Sequence, residues 1–120
     1  MKVLLGFGGS QASVDALERT VDRAVAAGDE LTVALAETEG ESHAELAEQV
    51  ERAVDGTGLS VDRREIDGEH GSELVHLAES EGFDELVLAS NTTSPMGKIT
   101  LNQTAEFVLL NSHVTVTLVR

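Results

Sequence analysis

Short apolar runs alternate with amphipathic helical stretches along this whole chain, and few architectures accommodate that order. Val3-Leu4-Leu5 is an apolar run that ends at Gly8-Gly9. Ser10 is placed to cap a following helix, in which Val14, Leu17, Val21, Ala24 and Val25 recur at helical spacing. Gly28 is its expected stop. Leu31–Ala36 reads as a second buried strand. Ser42, with Glu45 three residues on, opens a second helix in a capping-box pattern. Its apolar face is Leu46, Ala47, Val50, Ala53 and Val54, and it stops near Gly56. Leu59–Ile66 is a more polar strand, as expected of a sheet edge. Ser72 is the expected start of a third helix, with Leu74, Leu77 and Ala78 inward and Gly82 at its end. Glu85–Ala89 is the fourth strand, and Gln103–Asn111 a fourth helix with Ala105, Val108 and Leu109 inward. Val114–Leu118 alternates strictly, as a strand with one wetter face does.

This βαβαβαβαβ order with short connections implies one doubly wound α/β domain over residues 1–120. The sheet is parallel, with helices on both faces. Such sheets bind ligands beyond the carboxyl ends of their strands, where the strand order reverses. Here that place joins the loop after strand one, Gly8–Ser10, to the loop after strand four, Ser90–Leu101.

The second loop holds the only proline, Pro95, followed by Gly97 and Lys98. Strand, small polar loop and helix start together form a common anion site, because the first N–H groups of a helix lack internal partners. Lys98 is one of two lysines, the other being Lys2. It reads equally as a phosphate contact or as a surface lysine among acidic neighbours. Gly8-Gly9-Ser10 reads equally as a tight turn with a capping serine or as a ligand loop; it is neither GxGxxG nor a Walker sequence. His43, His70, His76 and His113 are scattered, without metal-ligand spacing, so no metal is expected. Ser10 has no evident His–Asp partnership, so no catalytic residue is expected. A phosphoacceptor receiver domain shares the strand alternation. It needs acidic residues crowded after strand one to hold magnesium, and this strand ends in two glycines.

Composition narrows the partners. Twenty-two acidic residues against 8 basic ones give a formal net charge of −14, which repels nucleic acid and anionic membranes. Three phenylalanines are the only aromatics, so no base-stacking platform is available. Scarce lysine and abundant Asp and Glu resemble the proteins of salt-loving archaea, in whose brine such self-repulsion is screened. No cysteine is present, which removes disulfides and thiolate chemistry. Met1–Phe7 is too short for a signal peptide, and no apolar run reaches the roughly 18 residues of a membrane span. A cytoplasmic location is the expectation.

Four passages resemble the universal stress protein family, over essentially the whole chain. KVLLGFGGSQASVDALERTV is similar to its opening strand, turn and helix. GSELVHLAESEGFDELVLAS is similar to its third helix and fourth strand, with Asp84 placed as the family places an Asp. SPMGK resembles a loop variant of archaeal members, and TAEFVLLNSHVTVTLVR the closing helix and strand. The resemblance implies an adenine nucleotide alpha hydrolase-like fold with strand order 3-2-1-4-5. It implies ligand contacts at Gly8, Gly9, Ser10, Ala34, Ser90, Asn91, Thr92, Gly97, Lys98, Asn102, Gln103 and Thr104.

ATP-binding members carry Gly, two residues, Gly, nine residues, then Gly and Ser or Thr. Those positions fall here on Ala89, Thr92, Asn102 and Gln103, and the family's nucleotide-contacting Asp falls on Gly8. Glycines let phosphate reach backbone N–H groups with no Cβ in the way. The resemblance therefore implies a regulatory stress-response module whose ATP cofactor site is degenerate, with weak or no nucleotide binding. The alternatives are a nucleotide-binding member with slow hydrolysis and a lone interaction domain with an empty pocket. Family members commonly pair through the last strand, so a homodimer through Val114, Val116 and Leu118 is expected. The competing reading buries Val116 within its own chain.

Overall fold

Residues on both sides of the strands are apolar, and this decides the layering. The computed structural model describes residues 1–37, 42–67, 69–89, 92–93, 99–100 and 103–119. In chain order the elements are β1 (Lys2–Phe7), α1 (Gln11–Ala27), β2 (Glu30–Ala36), α2 (His43–Val54), β3 (Val61–Ile66), α3 (His70–Ser80) and β4 (Glu85–Ala89). They continue as β5 (Thr92–Thr93), β6 (Ile99–Thr100), α4 (Gln103–Asn111) and β7 (Thr115–Val119). The main sheet runs β3-β2-β1-β4-β7, parallel throughout. Winding outward from β1 to β3 and back across to β4 and β7 is the expected 3-2-1-4-5 order.

Alternation along each strand divides the core in two. Val3, Leu5 and Phe7 of β1 join Leu31, Val33 and Leu35 of β2 and Val87 of β4 on one face. There α1 brings Leu17 and Val21, and α2 brings Leu46 and Val50. Leu4, Ala34, Leu86 and Leu88 face the other way, against Leu74 and Ala78 of α3 and Ala105 and Val108 of α4.

Five polar residues are buried among the described residues, Ser13, Thr20, Asp29, Thr32 and Glu85, and the last of them anchors a cluster. Glu85, 5% exposed at the start of β4, takes a bidentate pair from Arg23 of α1 at 2.8 and 3.0 Å. Thr117 of β7 donates its hydroxyl to the same carboxylate at 2.6 Å. The cluster ties α1, β4 and β7 together at one end of the sheet. Asp84 beside it accepts from the Lys2 backbone N–H at 2.8 Å, and its own N–H donates to the Lys2 carbonyl. Asp84 thus aligns the starts of β1 and β4.

Several local expectations are corrected. Val25 is 49% exposed: it lies about 80° round the helix from Leu17, at the flank of the buried stripe. The stripe is completed instead by Ala16, Ser13 and Thr20. Leu109 is 41% exposed, and Phe107 packs on the core in its place. Helix α3 starts at His70, not Ser72, and its N-cap Glu69 gives no side-chain cap. Packing sets that start, because the buried Gly71 lies against Phe107 of α4. The third strand begins at Val61, not Leu59, because Thr57 folds the preceding residues into a turn. Its hydroxyl donates to the Val54 carbonyl at 2.6 Å and accepts from the Leu59 N–H at 3.2 Å. The closing strand is displaced by one residue to Thr115–Val119, and Val114, Val116 and Leu118 pack partly buried on the second core. The loop after β4 contains an antiparallel pair, β5 with β6, which no sequence signal indicates.

Candidate functional site

The two neighbours at the reversal of strand order, β1 and β4, end beside a cleft of about 500 Å³. That volume lies within the range of small-molecule sites. Its floor is the end of the sheet: Gly6, Phe7 and Gly8 of the β1 end, Ala36 of β2, and Leu88 and Ala89 of β4. Its walls are helix starts. Ser10 and Ser13 come from α1, His70 and Leu74 from α3, and Gln103, Thr104 and Ala105 from α4.

Local chemistry explains the first of these walls. Gly9 has φ 83°, a left-handed conformation that lets the chain turn from β1 into α1 within three residues. Ser10 then caps α1, its Oγ accepting from the Ser13 N–H at 3.1 Å. Gly6 lies lower on the floor, and a Cβ there would meet Leu88 at 2.9 Å and Leu74 at 3.1 Å. The strand can therefore pack directly beneath α3.

Three helix starts facing one cleft set its electrostatics. Each contributes the partial positive charge of its first turn. Among the described residues that line it, none carries a carboxylate. The cleft thus favours an anionic group, although the chain as a whole carries −14. A smaller cavity of about 200 Å³ adjoins it, sharing His70, Gln103 and Thr104 and adding Glu69, Gly71 and Phe107.

Of the candidate ligand residues, Gly8, Ser10, Gln103 and Thr104 line the cleft together, with Gly9 forming the turn between the first two. Ala34 does not line it. It is fully buried in the second core, paired with Gly6 in the sheet, and Ala36 two residues on occupies the strand-end position. Ser90, Asn91, Gly97, Lys98 and Asn102 lie outside the described residues, and Thr92 is placed only as part of β5.

Sequence reasoning missed His70, Ser13 and Ala36. No local sequence pattern marks His70. Its nearness to Gln103 depends on α3 and α4 packing together. The other histidines do not line the cleft; His43, for example, sits 3.4 Å from Glu37 and 3.6 Å from Glu65. Among the described residues, no group of three or more His, Asp or Glu side chains is arranged to hold a metal ion. Likewise no described helix is long and apolar enough to cross a membrane.

Comparison with known proteins places this geometry. Residues 33–120 match the model of the universal stress protein family. The fold is similar to a universal stress protein solved in complex with cAMP, at 26% identity and a TM-score of 0.77, covering 100% of this chain and 96% of the other. A protein from Mycobacterium tuberculosis H37Rv is 30% identical, with a TM-score of 0.64, over 80% of this chain and 76% of its own. The universal stress protein from Archaeoglobus fulgidus in complex with dAMP shares the fold at 14% identity, with a TM-score of 0.74 and coverage of 100% and 98%. No curated protein sequence matches the chain at a significant level.

Proposed function

Because this chain belongs to the universal stress protein family, we propose that it is a regulatory stress-response module that works by binding and pairing, without turnover, and that its cleft holds ATP weakly or not at all. The observation that carries this reading is the rim of the cleft. Gly8 stands where nucleotide-binding members present an Asp, so no side chain there accepts a hydrogen bond from the ligand. Ala89 lines the cleft at the first phosphate-glycine position, and its Cβ stands where phosphate would approach the backbone. Thr92 and Asn102 replace the next two glycines.

A second reading is favoured by the cAMP and dAMP complexes of similar folds. A ligand with one phosphate needs fewer N–H donors than a triphosphate, and three helix starts remain to supply them. Mass spectrometry of nucleotide released from the purified protein separates the readings. The expected result is no ATP, with a nucleoside monophosphate as the only species compatible with the second reading. Stoichiometric ATP would overturn both.

The pairing surface is argued from the two sheet edges. Edge strand β3 is VDRREI, with exposed charges on both faces, Arg63 bound to Glu51 and Arg64 to Glu81. Such charges keep other strands away. Edge strand β7 is TVTLV, uncharged, with Val116 and Leu118 half-buried. This edge supports antiparallel pairing with a second copy across a two-fold axis. Light scattering of the wild-type protein at molar salt is expected to give the mass of a dimer. A wild-type protein of monomeric mass would count against the pairing.

The protein is placed in the cytoplasm by the same reading. Its acidic surface suits high salt and disfavours nucleic acid and anionic membranes as partners.

A further inference from the structure

We propose that His70 is a ligand-contacting residue of the cleft, donating from its imidazole to the anionic oxygens of a nucleoside monophosphate. This rests on the cleft being the binding site and adds the residue that reads the anion. His70 lines both the main cleft and the adjoining cavity, and shares that junction with Gln103 and Thr104 at the start of α4.

The imidazole is half-buried, and it forms no hydrogen bond or ion pair with another side chain or backbone group among the described residues. A polar ring at a cavity junction keeps its hydrogen-bonding capacity for what enters the cavity. It also offers what the remaining described lining does not: an imidazole ring with two nitrogens for hydrogen bonding. The rest of the lining includes the apolar Phe7, Leu74, Leu88 and Ala36. A ligand with a flat apolar body and one compact anionic end matches this combination. Its anion would lie between His70 and the N–H groups at the start of α4, where charge-assisted hydrogen bonds are strongest.

Carbon-bound ring protons of the four histidines give separate NMR signals, and the His70→Ala variant assigns the one in question. The probes are AMP and adenosine, carried to the millimolar range at high salt. AMP is expected to move the His70 signal saturably and adenosine to leave it nearly unmoved, while His43, His76 and His113 stay in place. His70→Ala is expected to weaken AMP binding about tenfold, and His70→Gln, which keeps a donor, to recover part of that loss. If AMP perturbs the Leu74 and Ala105 amides saturably but leaves the His70 signal unmoved, the cleft stands and the role of His70 is overturned. If neither responds, both the cleft and His70 are overturned.

Discussion

Phe7→Ala is expected to destabilise the protein by about 3–5 kcal/mol and to lower its melting temperature by roughly 12–20 °C. Phe7 is fully buried, among the largest side chains of the core between the sheet and helices α1 and α2. Truncation loses its transfer free energy and leaves a cavity that a close-packed sheet cannot collapse to fill. Against a total stability of about 5–15 kcal/mol, that is a large fraction. Phe7 also ends β1 and forms part of the cleft floor. The same change should therefore weaken any ligand of the cleft as well as the fold. Chemical denaturation at molar salt checks the first effect. A loss below about 1 kcal/mol would mean that the first core is not packed as described.

Replacing Glu85 with Gln is the second large effect, about 2 kcal/mol at neutral pH. Breaking a buried ion pair costs about 3–5 kcal/mol, and the figure is reduced because Arg23 is 41% exposed on its side chain. Burial alone would push the Glu85 carboxyl up. The hydrogen bonds from Arg23 and Thr117 and the Arg23 charge outweigh it and hold the group below the ordinary carboxylate range. A group held low in the folded state stabilises the protein above its unfolded value, near pH 4.3, and loses that contribution as pH falls through the folded value. The amide imitates the protonated acid. The stability gap between wild type and Glu85→Gln should thus be widest at neutral pH and close as pH falls below the ordinary carboxylate range. A gap that stays constant with pH would show that the carboxylate charge contributes nothing.

The two predictions concern opposite ends of the same sheet, and the sequence revealed those ends unequally. Period-two and period-3.6 patterns are local, so they exposed the order of strands and helices directly. The Gly8-Gly9-Ser10 turn was equally readable, because a left-handed glycine and a capping serine act within a few residues. What was hidden depends on distant partners. Ser72 looked like a cap, but α3 starts where Gly71 meets Phe107, 36 residues away. Leu109 matched the helical period, but Phe107 took the core contact. His70 reaches the cleft only because α3 packs beside α4. Ala34, which only the family resemblance suggests, is buried in the second core, two residues before the Ala36 that reaches the cleft floor. Nothing local to Glu85 announces its ion pair, because the partners Arg23 and Thr117 come from α1 and β7.

Calorimetric titration of ATP with magnesium into the protein at molar salt tests the central claim most directly. The glycine replacements at 89, 92 and 102, together with Gly8 at the strand end, predict no saturable heat in the micromolar range and a Kd that is millimolar or weaker. A Kd in the micromolar range would contradict the account, because it would show that the cleft cradles a triphosphate without the glycines and the Asp.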